Sequence, residues 1–222
     1  SKSNSSVDYA MLEYCIREDL KLKRPRMMAI LDPVKLVIDN WEDGKIEMLD
    51  APNNLENEAL GSRQLPFGKE LWIEREDFME EPPKKYFRLF PGNEVRLMNA
   101  YFVTCTGCVK DENGNVIEVH CTYDPETKSG SGFNARKVKG TIHWVDAATA
   151  VPAEFRLYDR LFTVEQPGAD GVDFLTQMNP DSVKCVQGFV ERGLEKAVPG
   201  NPFQLERQGY FTADLDSTAE KP

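Results

Sequence analysis

The sequence predicts a mainly β protein preceded by one helix, and three observations predict it. Apolar runs recur at strand length, turn dipeptides punctuate them, and only one stretch carries a helical period. The densest part, GTIHWVDAATAVPAEFRLYDRLFTV over 140–164, reads as two strands. Ile142, Trp144 and Val145 are β-branched or aromatic, and from Glu154 onward Phe155, Leu157 and Leu161 alternate with charged residues. Pro152 stops any helix that the alanines between the two runs could begin.

In chain order, Ser5 and Ser6 precede VDYAMLEYCIREDL, where Tyr9, Leu12, Ile16 and Leu20 recur at helical spacing. Its apolar residues lie on two sides, which suits a helix packed in a helical layer that precedes residue 1. Met27 to Leu31 and Val34 to Ile38 follow as two short strands around a corner at Asp32 and Pro33. Residues 50–69 read as turn chemistry, with Pro52, Asn53, Asn54, Gly61, Pro66 and Gly68, and lead into the strand LWIERED. EEPPKK at 80–85 is the best internal boundary. Beyond it, strands at Tyr86–Leu89, Val95–Val103, Val116–Tyr123 and Val138–Val145 come at the spacing of a small antiparallel barrel, with Asn113-Gly114 the strongest tight-turn signal. Further short runs at Val183–Phe189 and Phe203–Phe211 complete the chain.

Composition narrows the function classes. The 222 residues can hold one large or two small cores, and 41% hydrophobic with 29% charged residues is the balance of a folded globular chain. No apolar run approaches the roughly 18 residues that span a bilayer, and SKSNSSVD lacks the basic-then-apolar order of a signal peptide. Five cysteines without such a signal suit reduced thiols, so a cytoplasmic protein with no membrane contact is expected. A net charge of -10 argues against wholesale nucleic-acid binding, which neutralises phosphates with Lys and Arg. Clusters at Lys21 to Arg26, Lys84 to Arg88 and Arg136 to Lys139 could still form a local basic face if the fold brings them together.

Catalytic chemistry is sparse. Cys105, Cys108, His120 and Cys121 are of metal-binding type, but strand alternation sends Cys105 and Cys108 to opposite faces, so they read as structural thiols and no metal is expected. His143, between Ile142 and Trp144, reads as a satisfied sheet residue. No Ser-His-Asp arrangement, phosphate-cradling glycine loop or HExxH is present, so no catalytic residue is assigned.

Five collinear segments carry a specific resemblance: RMMAILDPVKLVIDNW at 26–41, GSRQLPF at 61–67, EVRLMNAY at 94–101, KVKGTIHWVDAATAVPAEFRLYDRLF at 137–162 and FQLERQGYF at 203–211. Together they resemble the C-terminal anticodon-binding region of bacterial glutaminyl-tRNA synthetases, over nearly the whole chain. The resemblance implies two ribosomal-protein-like antiparallel β-barrels, the distal one inserted in the proximal one. On that reading 1–24 is a helical linker from the catalytic half, 25–84 with 162–222 the proximal barrel, and 85–161 the distal barrel. The family's Rossmann catalytic half, with its nucleotide-binding signatures, is not among these residues, and Ser1-Lys2-Ser3 echoes one of those signatures only by coincidence. The fragment alone is then catalytically silent and needs no cofactor, while the parent enzyme uses ATP with Mg to ligate glutamine to tRNA(Gln). The implied partners are the tRNA(Gln) anticodon loop and the catalytic half of the same polypeptide, in a monomer.

The resemblance also implies base readers. Loop bases are splayed, stacked and hydrogen-bonded on their Watson–Crick edges, for which the planar guanidinium fork is suited. Arg26, Gln204 and Arg207 match positions that contact the middle anticodon base, Arg88 the third base, and Arg96 one of two arginines around the first. The second of those is Met98 here and a lysine expected beside Arg88 is Phe87, so stacking or apolar contact replaces polar readout there. An asparagine of the 52–61 loop falls at Glu56 or Asn57. Lys137 and Lys139 are candidate phosphate contacts. Without the resemblance each of these side chains reads as strand-surface solubility. Two alternatives stand beside this reading: the related double barrel of archaeal and eukaryotic glutamyl-tRNA synthetases, and a stand-alone barrel that binds ribosomal RNA.

Overall fold

The structure is a computed structural model that describes residues 9–218. Ser5, Ser6 and the Ser1-Lys2-Ser3 run lie outside the described residues. Helix α1 spans Tyr9–Leu20 and buries none of its residues, leaving Tyr9, Met11, Leu12, Tyr14 and Ile16 exposed. Pro25 prevents its continuation, and the chain enters β1 (Arg26–Met27) and β2 (Ala29–Ile30) before turning into β3 (Pro33–Ile38). Proline at the first residue of a strand removes no interior ladder bond, and beyond it Val34, Leu36 and Ile38 alternate inward.

Strands β4 (Glu47–Pro52) and β5 (Ser62–Phe67) form a hairpin where the sequence promised only turn residues. Two-stranded pairing tolerates Pro52 and Pro66, while Leu49, Ala51, Leu65 and Phe67 alternate into the core. After β6 (Glu70–Glu74) come β7 (Glu94–Leu97), β8 (Phe102–Lys110) and β9 (Val116–Asp124), a meander whose second turn is the expected one at Asn113-Gly114. Gly114 takes φ +84° there, and Asp111 Oδ1 accepts from the amides of Asn113 and Asn115. The run expected as one strand before Asp146 breaks into β10 (Thr141–Ile142) and β11 (Val145–Asp146). Strands β12 (Val151–Tyr158), β13 (Val183–Val190), β14 (Phe203–Leu205) and β15 (Gly209–Phe211) follow.

The mainly β class and the single preceding helix hold among the described residues, but two closed barrels, one inserted in the other, do not form. One seven-stranded sheet, ordered β10-β7-β8-β9-β3-β6-β11, curls into a half-barrel. It mixes segments from both sides of 80–85, because β3 lies parallel to β9 with Lys35 opposite Glu118 and Ile38 opposite Cys121. The other sheets are small and open: β4-β5, β12-β13-β2 and β1-β14-β15. Alternation in a sequence shows that a strand has one buried face, and a long-range parallel neighbour leaves no local signal.

The half-barrel encloses the main core, in which Phe67 meets Trp144 edge-to-face at 5.0 Å and Trp144 Nε1 donates to the Met98 carbonyl at 2.9 Å. A register shift between Cys105 and Gly107 changes the face that the following residues present, so Cys108 packs against the same core as Cys105 and Cys121. The expected opposite facing of Cys105 and Cys108 is thereby reversed, while no metal-binding group of His, Cys, Asp or Glu occurs among the described residues. A second, smaller core gathers Ala29, Ala153, Phe155, Val190, Leu194 and Leu205. Trp72 on β6 stacks on Phe189 of β13 at 4.8 Å, both against the main core, and β13 approaches β2 so closely that a Cβ on Gly188 would lie 2.0 Å from the Ile30 carbonyl oxygen. No helix among the described residues is long and apolar enough to cross a membrane.

Candidate nucleic-acid interface

The sequence-derived site residues fall into two groups joined by the β14–β15 hairpin. Strand β1 runs parallel to β14 with Arg26 directly opposite Gln204. The Arg26 side chain is 16% exposed, its Nη2 donates to Glu56 Oε1 at 2.5 Å, and its Nε is buried with no partner. An unpaired buried donor costs about 1–3 kcal/mol, so Nε is a donor held without use in the free protein. The Gln204 amide side chain makes no hydrogen bond with the described residues. Its backbone amide donates to Pro25, which fixes the strand while leaving the side chain available.

Leu205 and Gly209 pair across the hairpin turn, and Arg207 sits between them at φ +66°. A left-handed backbone at a non-glycine residue costs on the order of 1 kcal/mol, so something must hold it. Asp77 does: it is fully buried and accepts from Arg207 Nη1 at 2.6 Å and Nη2 at 2.9 Å. Arg207 Nη1 also donates to His143 Nδ1 at 3.2 Å, while His143 Nε2 donates to the Ala29 carbonyl at 2.9 Å. Both imidazole nitrogens are thus occupied, which is the satisfied sheet histidine expected from the sequence.

Arg88 reaches the same carboxylates. Leu89 N donates to Asp77 O and Met79 N to Leu89 O, a short pairing that brings 88 beside 76 and 77. Arg88 Nε lies 3.2 Å from Asp77 Oδ1 and its Nη1 donates to Glu76 Oε1 at 3.0 Å. Glu76 accepts from Arg207 Nη2 at 3.1 Å through the same oxygen, so the reader expected for the third base and one expected for the middle base share a ligand. Tyr86 donates to the Glu76 carbonyl at 2.9 Å, and burial, aided by Asp77, pushes its phenol up to about 12.

Arg96, on β7, lies opposite Phe102 on β8, and its guanidinium sits 4.2 Å from that ring. Its Nη1 donates to Ser129 Oγ at 2.8 Å and to the carbonyls of Ala100 and Thr127 at 3.3 Å. A cleft of about 260 Å³ brings Arg96 together with Arg26, and Met28, Arg63, Met98 and Asn99 also line it. Its wall is braced by Glu191, only 4% exposed, which accepts from Arg63 Nε at 2.5 Å and from the Met28 amide at 2.8 Å. Burial pushes the Glu191 carboxyl up, against the pull of Arg63.

Lys137 and Lys139 are exposed and form no ion pair among the described residues; Lys139 lies 5.3 Å from the Phe87 ring. Neither lines the cleft. Part of each basic cluster is balanced within the protein: Lys21 and Arg26 meet Glu56, Lys23 meets Asp19, Arg88 meets Glu76 and Asp77, and Arg136 meets Glu94 and Asp124. Glu56 is one of the two positions at which the loop asparagine was expected; the other, Asn57, caps the turn at Glu58–Leu60. Sequence reasoning missed Glu76, Asp77, Tyr86, Arg63 and Phe102. Glu76 and Asp77 were read only as the end of the strand LWIERED, and the Arg96–Phe102 pair was within reach of hairpin register.

Two family profiles, both described as the anticodon-binding domain of class I tRNA synthetases (E and Q), match residues 25–124 and 141–214. The chain is 55% identical over 220 residues to a glutamine–tRNA ligase of Clostridium perfringens, covering 99% of this chain and 40% of that protein. It is 55% identical over 222 residues to one of Clostridioides difficile, and 54% identical over 224 residues to one of Bordetella pertussis. The chain thus spans about 40% of the length of these curated relatives.

Proposed function

We propose a function from one premise: this chain belongs to the anticodon-binding domain family of the class I tRNA synthetases (E and Q). It corresponds to the anticodon-binding region of a bacterial glutamine–tRNA ligase, and it binds the anticodon loop of tRNA(Gln). The rest of the same polypeptide, in this reading, carries the ATP- and Mg-dependent ligation of glutamine, and the protein acts as a monomer in the cytoplasm. Arg26, Gln204 and Arg207 read the middle base, Arg88 the third, and Arg96 the first.

The observation that supports this best is the β14–β15 hairpin, which sets Gln204 against Arg26 and Arg207 against Arg88. Three segments distant in sequence, bearing Arg26, Arg88 and the Gln204–Arg207 pair, meet at this hairpin, and each side chain offers directed donors; Gln204 adds an acceptor as well. Arg96 and Met98 share the neighbouring cleft, so a base there meets a stacked guanidinium on one side and a thioether on the other. Lys137 and Lys139 contact phosphates at the edge of this face.

The test is titration of the chain against glutamine-accepting and glutamate-accepting tRNA side by side, each with its own and with a changed middle anticodon base. Tighter binding of the glutamine-accepting RNA, weakened by the base change, is expected. Equal binding of all four RNAs would overturn the assignment.

A further inference from the structure

Three of the four arginines that face RNA in the proposed function, Arg26, Arg88 and Arg207, are already occupied by carboxylates of the protein itself, whereas Arg96 is held by Ser129 and backbone carbonyls. Those carboxylates are of two kinds. Asp77 is fully buried and takes three guanidinium contacts, two from Arg207 and one from Arg88. Glu76 is 65% exposed and takes the outward nitrogens of the same two arginines at 3.0 and 3.1 Å. Arg26 repeats the arrangement: Glu56, 38% exposed, binds its Nη2 at 2.5 Å and Lys21 Nζ at 3.0 Å. Arg26 and then Lys21 hold the Glu56 carboxyl below its ordinary range, so it is anionic at neutral pH.

Asp77 cannot yield, because withdrawing it would strand buried charge, whereas an exposed pair is held weakly and can open to water. All four Nη hydrogens of Arg207 are spoken for: Nη1 donates to Asp77 and His143, and Nη2 to Asp77 and Glu76. Of those acceptors only Glu76 is exposed.

We propose that Glu56 and Glu76 determine specificity by guarding the arginines against phosphate. This rests on the anticodon-reading function proposed above. With the carboxylates in place the Arg88–Arg207 group is neutral and the Arg26–Lys21 group keeps one positive charge where it would have two, so a backbone phosphate finds less attraction there and meets an exposed anion. A neutral base edge meets no such repulsion, and it can return the hydrogen bonds that the glutamate gives up. A repulsive element against the wrong contact raises selectivity even where it lowers affinity. It also explains how a chain of net charge -10 can place Arg26, Arg88 and Arg207 on an RNA face with their charges balanced in part by its own carboxylates.

The experiment measures binding of wild type, Glu76→Gln and Glu56→Gln to glutamine-accepting tRNA with its own and with a changed anticodon, over a range of salt. Each Gln variant is expected to bind the changed RNA about 3- to 10-fold more tightly, with a smaller gain for the matched RNA and a steeper salt dependence. Unchanged or weaker binding of the changed RNA by both variants, in a wild type that does discriminate, would overturn this proposal alone. Absence of discrimination in the wild type itself would overturn the anticodon reading and this proposal with it. Glu56 and Glu76 are exposed and lie on different segments, so thermal unfolding of each variant separates a folding defect at one from the effect at the other.

Discussion

The half-barrel and the smaller sheets beside it bury their apolar residues to different depths. Leu36, Ile38, Leu71 and Ile73 are wholly inaccessible in the first, whereas in the core of the β12-β13-β2 sheet Ala153, Phe155, Val190 and Leu194 retain 5–7% exposure and only Ala29 and Leu205 are sealed. Tyr158, Leu161, Phe174, Leu175 and Met178, on or beyond the end of β12, are exposed outright. The half-barrel is held by its own core. The smaller sheets lean on it through the Trp72–Phe189 stack and the Arg207–Asp77 pair, while the Arg63–Glu191 pair ties β5 to the end of β13. The β14–β15 hairpin, already paired to β1, is thus tied to the half-barrel by a polar strap, and its strap residue Arg207 is itself a candidate reader.

Substitutions that empty the deeper core should separate the two regions most sharply. Leu36→Ala is expected to cost about 2–5 kcal/mol in urea unfolding, and Val190→Ala about 1 kcal/mol, with the partly accessible site losing less. An equal cost at the two sites would erase the distinction between a self-sufficient and a supported core. Cutting the strap comes next: Asp77→Asn should cost about 2–4 kcal/mol, because it leaves Arg207 in its left-handed turn without a charged holder. Amide exchange should show the loss first in 203–211 and not in β3 or β9; uniform loss would contradict the strap.

Effects on RNA are smaller and should divide by chemistry. Arg26→Ala or Arg207→Ala is expected to weaken binding by about 1–3 kcal/mol and to blur the middle base, whereas Lys137→Ala should weaken every RNA alike and lower the salt slope by about 1. Equal, base-independent losses for both classes would show that none of them reads a base.

The two buried glutamates give the finest contrast, and it lies in the sign of their pH dependence. Burial opposes ionisation of Glu74 on β6, but His143 and the amides of Leu31 and Asp32 outweigh it and hold the carboxyl below its ordinary range. A depressed folded pKa contributes stability that is present above the unfolded pKa and is lost as pH falls through the folded one. Glu191, pushed up by burial, does the reverse: its contribution is present at low pH and is lost as pH rises through its raised pKa. Unfolding measured from acid to neutral pH should therefore show Glu74→Gln flattening the acid limb. A flattened neutral limb instead would mean the sign at Glu74 is wrong.

Much of this was legible in the residues. The helix at 9–20, the hairpin around Asn113-Gly114 and the inward alternation of Val34, Leu36 and Ile38 each follow from local pattern, and the structure has them. What local pattern does not carry is partner choice. The parallel β3–β9 pair joins residues more than eighty positions apart, and a single register shift at 105–107 turns Cys108 to the core side. Gln204 and Arg26 became candidates only through resemblance, since an exposed Arg or Gln looks the same whether or not RNA meets it. Glu76 escaped notice, and Glu56 was noticed only as a place for a loop asparagine, for a related reason: a surface carboxylate shows its meaning only beside the arginine it occupies.

The seven-stranded sheet has its two edges in β10 and β11, which the chain reaches one directly after the other. During synthesis on the ribosome, then, β3, β6, β7, β8 and β9 all emerge before either edge can be covered. For that interval the nascent sheet has two open sides, the state in which strands pair with the wrong neighbour. Both sides are covered within the few residues from Thr141 to Asp146, so a ribosome that stalls with that stretch still inside its exit tunnel would hold out a sheet open at both edges.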